Sequence, residues 1–339
     1  MTRIALDAMG GDFAPLAPVV GALLALSELP AHHSIELVGP TALLETTVDA
    51  LLSGELSAHA VHRARLGIVE APEVITMTDK PTVALRGKPN SSMVVGLKRV
   101  VDGHADGFVS AGNTGAQMAA STVLMRLHGT LTRPAIGTIF PTAMRPVVVL
   151  DSGANVDCSP DELVQFARIG AVYAEDILGR HEPRIGLLSI GEEPEKGNAA
   201  VKEAHQRLAR TTLHFIGNVE GRDIPAGRCD RGPFDVVVCD GFTGNVLLKF
   251  YEALAPMLVG RISSALNADP VSAAAELREL DYAEYGGAPL LGVKGVSIIA
   301  HGKSDARALK NAIKGGVRAV ESKMSEHIGA SLAAESPAP

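Results

Sequence analysis

One pattern recurs along the chain: a short apolar run, a loop rich in Gly, Asp, Asn, Ser and Thr, then a stretch with apolar residues at helical spacing. Arg3–Leu6 runs into Asp7-Ala8-Met9-Gly10-Gly11-Asp12, and Gly107-Phe108-Val109 into Ser110-Ala111-Gly112-Asn113-Thr114-Gly115. Pro146–Leu150 leads to Asp151-Ser152-Gly153-Ala154-Asn155, Ile185–Leu188 to Ser189-Ile190-Gly191-Glu192-Glu193, and Phe234–Val238 to Cys239-Asp240-Gly241-Phe242-Thr243-Gly244-Asn245. Ser297–Ala300 leads to His301-Gly302-Lys303-Ser304. Strand-like runs alternating with helical stretches predict an α/β fold with crossover units and a mostly parallel sheet. In such sheets the loops after the strands gather at one edge, where ligands bind.

Helix starts are marked. Ser159-Pro160-Asp161-Glu162 reads as an N-cap, a proline at the first helical position and a glutamate closing a capping box. Leu163, Phe166, Ile169, Tyr173 and Ile177 follow at helical spacing. Asn198 is placed to cap a helix carrying Val201, Ala204 and Leu208, and Ser304 one carrying Ala308, Leu309 and Ile313. A helical segment is expected from about 246 to 285, broken at Asn267-Ala268-Asp269-Pro270; its apolar first half reads as core or dimer interface, or as a hairpin touching a membrane surface. No Pro/Gly/Ser linker divides the chain, so one domain over 1–324 is expected. The small residues and prolines near the end predict a tail without stable structure over 325–339.

Composition narrows the class. Hydrophobic residues make up 46% and aromatics 4%, with no Trp, so the core is built from Ala, Val, Leu and Ile, as parallel strands covered by helices require. The net charge of -7 argues against nucleic acid as a partner. Three cysteines, Cys158, Cys229 and Cys239, form no CxxC pair and suit a reducing cytoplasm. The N-terminus lacks the form of a signal peptide, and no apolar run is long enough to span a bilayer.

Several standard motifs are missing: GxGxxG, HExxH and GxSxG do not occur, and Gly302-Lys303-Ser304 lacks the first glycine of a phosphate loop. What remains is a set of polar, Gly-containing loops opening helices, which is chemistry suited to an oxyanion. Glycine lets backbone N–H groups approach, and the helix N-terminus supplies unpaired donors and a favourable dipole. Ser110–Gly115 and Asp240–Asn245 are the best candidates. Each alone reads first as a tight turn with an Asn or Thr cap, since capping residues are common at helix starts; their recurrence with one polarity points to a site. Lys196, set among Glu192, Glu193 and Glu195, reads as a phosphate clamp or as a surface ion pair. Lys249 reads as solvated or functional, and Arg86 with Lys88 as part of a flap. Cys158 is weighed as an acyl-accepting nucleophile against the usual buried thiol, and direct transfer is preferred. Asp7, Asp12 and Asp240 could hold a metal or cap their loops; no metal and no cofactor are expected.

These motifs, in this order, resemble the phosphate acyltransferase (PlsX) family. The matching stretches are Ile4–Asp12; Met77–Pro81 with Arg86-Gly87-Lys88 and Ser91-Ser92-Met93; Ser110–Ala116; Gly153–Asp157; Gly191-Glu192-Glu193 with Lys196-Gly197-Asn198; Asn218–Asp223; Asp240–Asn245; and Tyr282–Gly287. The resemblance covers nearly the whole chain, from residue 3 to about 320. The segment between Leu258 and Leu280 is short beside the family's apolar hairpin. The resemblance implies a three-layer α/β/α fold similar to phosphotransacetylase and isocitrate-type dehydrogenases, with a projecting helical element, and a homodimer. It implies an enzyme moving a fatty acyl group from acyl carrier protein to inorganic phosphate. The acyl phosphate would supply a membrane glycerol-3-phosphate acyltransferase in phospholipid synthesis, from the cytoplasm or the inner face of the membrane. The expected catalytic residues are Lys196, Asn245 and Asn113. The expected substrate-binding residues are Asp7, Gly10, Gly11, Asp12, Ser110, Gly112, Thr114, Gly115, Asn155, Glu193, Gly197, Asn198, Asp240, Gly241, Thr243 and Gly244. Three alternatives stay open: acyl transfer from coenzyme A as in phosphotransacetylase, a nicotinamide-dependent dehydrogenase on a related fold, and a noncatalytic protein docking the carrier at the membrane.

Overall fold

A computed structural model describes residues 1–266 and 282–334. Where one domain was expected, the chain divides into two compact units: Met1–Thr130 with Gly286–Gly329, and Leu131–Tyr285 with Ala330–Pro339.

In the first unit the strands are β1 (Arg3–Asp7), β2 (Ser34–Gly39), β3 (Leu66–Glu70), β4 (Gly107–Ser110) and, after the chain returns, β13 (Ala288–Leu291) and β14 (Val296–Ile299). They lie in the order β3-β2-β1-β4-β14-β13. All neighbours are parallel except β13 and β14. Consecutive strand residues face opposite ways, and β4 shows what each face meets. The Phe108 ring packs on Gly96 of helix Ser92–Val101. Val109, with Ile4 and Ile298, packs on Gly316 of helix Ala306–Glu321. A side chain at Gly21 would come within 2.9 Å of the Ala306 carbonyl and Leu309, so helix Leu16–Glu28 lies in near-backbone contact with helix Ala306–Glu321. Phe108, Leu6, Leu37 and Leu97 are fully buried; each such side chain contributes about 1.5–3 kcal/mol through burial.

The second unit repeats the plan. Its strands β6 (Thr138–Phe140), β7 (Val147–Leu150), β8 (Ile185–Ser189), β9 (Phe215–Glu220) and β12 (Val236–Val238) lie in the order β6-β7-β12-β8-β9. Only β6 runs antiparallel. Val147, Val149 and Val237 join a core that receives Leu247, Leu248 and Tyr251. Leu150 and Val236, on the other face, press on Gly170 of helix Pro160–Leu178 at 2.7 Å from where its Cβ would stand. That helix begins with the capping box read from the sequence, Ser159 with Glu162.

Three expectations change in detail. Asp305, not Ser304, caps helix Ala306–Glu321, its carboxylate accepting from Ala308 N at 2.8 Å; both residue types cap well, and Ser304 N instead donates to His301 O. The chain after 324 carries a helix, Met324–Ala333, because Met324, Ile328 and Leu332 recur every fourth residue and are buried; residues 335–339 lie outside the described residues. The segment expected to be helical from 246 is part of a helix Gly241–Leu266 with Pro256 inside it. The predicted break at 267–270 lies outside the described residues. Among the described residues no helix is long and apolar enough to cross a membrane.

Candidate active site

The first unit gathers the loops after β1, β4 and β14. Asp7 ends β1 almost fully buried; its carboxylate accepts from Ser110 Oγ at 2.7 Å and from Met9 N at 3.1 Å. Ser110 Oγ in turn accepts from Gly112 N at 2.9 Å, so one hydroxyl ties two loops together. Burial pushes the Asp7 carboxyl above the usual aspartate range, against the pull of hydrogen bonds from Ser92, Ser110, Met9 and Gly10. Gly10 stands where any Cβ would lie within 2.9 Å of Asp7, Gly112 and Ser110. Asp12 N donates to Gly302 O at 2.7 Å, and Gly11 lies against Ala111 and Gly302. The expected residues Asp7, Gly10, Gly11, Asp12, Ser110 and Gly112 therefore form one cluster.

Asn113 does something other than face an oxyanion. Its Oδ1 caps helix Thr114–Met125 through Ala116 N at 3.0 Å. Its Nδ2 lies within 3.1–3.3 Å of the carbonyls of Thr76, Met77 and Asp79. The amide is fully engaged in holding the 76–79 turn to the helix start. The same turn holds Lys88, whose Nζ donates to Asp79 at 2.5 Å and to Val74 O at 2.8 Å. The first-turn N–H groups of Thr114 and Gly115 have no acceptor among the described residues, the usual state of a helix start.

The second unit gathers the loops after β7, β8 and β12 around a residue that the sequence reading passed over. Asp151 is fully buried; its carboxylate accepts from the backbone N–H groups of Ile136, Gly153, Ala154 and Asn155, and from Asn155 Nδ2, at 2.6–3.1 Å. Burial still holds this carboxyl above its ordinary range. The signal was available: Asp151, like Asp7, ends an apolar run just before a glycine loop. Gly241 N donates to Asn155 O at 2.7 Å, and Gly241 and Gly244 both abut Asp151 so closely that no side chain fits. Asp240 accepts from Thr243 N at 2.7 Å and Thr243 Oγ1 at 3.1 Å, fixing the start of helix Gly241–Leu266. Asn245, exposed, lays its side chain over Gly153, whose φ of 135° suits glycine alone. Asp151, Asn155, Asp240, Gly241, Thr243, Gly244 and Asn245 thus form a second cluster.

The β8 loop adds Glu193, Lys196, Gly197 and Asn198. The stem of Lys196 folds over Gly191, and Asn198 caps helix Ala199–Leu208 through Val201 N. Lys196 is exposed, and none of the carboxylates near it in sequence lies within ion-pair distance, so the surface-pair reading does not describe it. Glu193 contributes its carbonyl, which accepts from Asn218 Nδ2 at 2.8 Å. Lys249 is paired with Glu252 at 2.8 Å on the exposed side of its helix. Cys158 is half-buried and its thiol is pushed up to about 12 by burial, then by Asp151. Such a thiol stays neutral near pH 7 and is a poor nucleophile. It borders a cleft of about 500 Å³ beside Asn198, Asp240 and Thr243. Among the described residues the groups close enough to share a metal ion are His32, His33 and Glu321, and Glu192, Glu220 and Asp223; Asp7, Asp12 and Asp240 belong to neither.

Comparison with known proteins bears on what such loops serve. Residues 2–327 match the family described as "Fatty acid synthesis protein". The chain is 46% identical over 341 residues to a phosphate acyltransferase of Desulforamulus reducens, covering 98% of each chain. It is 50% identical over 323 residues to a phosphate acyltransferase of Heliobacterium modesticaldum, covering 92% of each. In fold it is similar to the EutD phosphotransacetylase of Staphylococcus aureus, with a TM-score of 0.62 at 14% identity, covering 95% of this chain and 94% of that one. It is also similar to a 4-hydroxythreonine-4-phosphate dehydrogenase of Burkholderia phymatum, with a TM-score of 0.50 at 16% identity, covering 94% and 98%. The two structural likenesses give the fold alone; the full-length match at close to half identity gives more, and by it the chain belongs to the phosphate acyltransferase family.

Proposed function

We propose that this protein transfers a fatty acyl group from acyl carrier protein to inorganic phosphate, giving acyl phosphate for phospholipid synthesis. The observations that carry the reading are the matches to phosphate acyltransferases over 98% and 92% of this chain, together with the family match over residues 2–327. In the step, a phosphate oxygen attacks the thioester carbonyl, a C–O bond forms and the C–S bond breaks. The thiolate leaves with the carrier's arm and takes a proton from solvent. A thiolate is a good leaving group, so positioning and charge stabilisation dominate; alignment of two reactants supplies at most about 7–11 kcal/mol.

The second unit offers groups for both tasks. Lys196, an exposed cation without a carboxylate partner among the described residues, balances phosphate charge, and the Asn245 amide, held over Gly153, faces the developing oxyanion. The high thiol pKa of Cys158 favours direct transfer over an acyl-enzyme. Partners in this reading are acyl carrier protein, inorganic phosphate, a second copy of the chain and the membrane acyltransferase that consumes the product. The test is phosphate-dependent thiol release from palmitoyl-acyl carrier protein. Asn245→Ala is expected to slow it about 10²–10³-fold, and a rate near wild type removes Asn245 from the mechanism. Turnover with palmitoyl-coenzyme A alone would move the protein to phosphotransacetylase chemistry.

A further inference from the structure

The cleft of about 500 Å³ in the second unit has a lining that selects its occupant. Asp157 and Asp240 contribute carboxylates, and no Lys or Arg is among the described lining residues, so free phosphate is repelled. A bare methylene chain is also unsuited, because it would strip water from the two carboxylates and from Asn198 without replacing their hydrogen bonds. Leu163 and Val201 nonetheless give the cleft apolar wall. The first-turn N–H of Ala200, in helix Ala199–Leu208, adds a donor at its edge. A neutral arm with amide groups, a hydroxyl and branched methyls satisfies every part of this lining: amide N–H to carboxylate, amide carbonyl to helix N–H, methyls to Leu163 and Val201.

We infer that this cleft receives the pantetheine arm of the thioester donor, with the thioester end toward Lys196 and Asn245. The inference rests on the acyl-transfer reading above. Asn198 stands two residues after Lys196, and Thr243 two before Asn245, so the cleft adjoins both groups by chain connectivity.

Two measurements test it. Ala200 lines the cleft half-buried, and Ala200→Trp fills it. The expected result is a KM raised about tenfold, the loss of one good contact, for both acyl carrier protein and acyl-pantetheine donors, with the KM for phosphate unchanged. The second readout uses the wild-type protein. Cys158 borders the cleft, and the other two cysteines are buried. A thiol-free pantothenamide should slow alkylation of Cys158 by iodoacetamide at alkaline pH, read by mass spectrometry of its peptide. A rise in the phosphate KM with the donor KM unchanged, or alkylation indifferent to pantothenamide up to its solubility limit, overturns the inference. Absence of thiol release from any donor by wild-type protein would instead refute the acyl-transfer reading, and Cys158 protection would still decide what the cleft binds.

Discussion

Gly241→Ala tests how the second cluster is held together. A Cβ at 241 would stand 2.6 Å from Asn155 O, 2.7 Å from Asp151 Oδ2 and 2.9 Å from Asn155 N. Carbon contacts are favourable at about 3.5–4.0 Å, so backbone and a buried carboxylate must retreat by roughly 1 Å. Neither is a flexible side-chain end: Asp151 is fixed by its backbone donors, and Asn155 O holds Gly241 N at 2.7 Å. Overpacking costs about 1–3 kcal/mol, and weakening the Gly241–Asn155 hydrogen bond adds about 1 kcal/mol. At roughly 2–4 °C per kcal/mol for a unit of this size, Tm falls by about 4–16 °C. Displacing the loop that precedes Asn245 by such a distance should cost about 10²-fold in kcat/KM. Thermal unfolding and phosphate-dependent thiol release measure both. Gly221→Ala is the control, since a Cβ there meets nothing within 4 Å. A Gly241→Ala protein with wild-type Tm and activity would refute the packing argument.

Other consequences are separable. Asn113→Ala should lose a helix cap, about 1 kcal/mol, and release the 76–79 turn, seen as faster amide exchange over that turn and helix Pro81–Gly87; unchanged exchange would show that the turn is held by other contacts. Cys158 should react slowly with iodoacetamide near neutrality, its rate rising about tenfold per pH unit toward the thiol pKa of about 12; rapid neutral labelling would contradict its burial. The raised pKa of Asp7 means that the folded protein holds this proton more tightly than the unfolded chain, so its contribution is complete below the ordinary value of 3.8 and is lost as pH rises through the folded value. The stability advantage of wild type over Asp7→Asn should therefore shrink between the ordinary aspartate range and neutrality in urea titrations, and an advantage that grows would reverse the sign of the burial argument.

The alternation of apolar runs and glycine loops made the parallel core legible, because fully buried strands leave continuous Val, Ile and Leu runs such as Val147–Leu150. The capping box at Ser159 was equally local and equally readable. Antiparallel β6 and β13 were not: strand direction depends on the path between strands, which short runs do not encode. The division into two units has no linker to announce it, since the first unit closes only when the chain returns at Gly286. At the site, the loops with hydroxyl and amide residues were visible, but the partner of each side chain was not. The cap at Asn113 was a local reading, but its grip on the 76–79 turn was not, because that turn lies 34–37 residues away in sequence. Asp151 looked like a strand end because its donors become apparent only when the loop folds around it.

The central claim is tested most directly by incubating the purified protein with palmitoyl-acyl carrier protein and following free thiol with and without inorganic phosphate. The account predicts thiol release that requires phosphate, with palmitoyl phosphate formed in equal amount. Release without phosphate, or no release from the carrier-protein thioester, would contradict it.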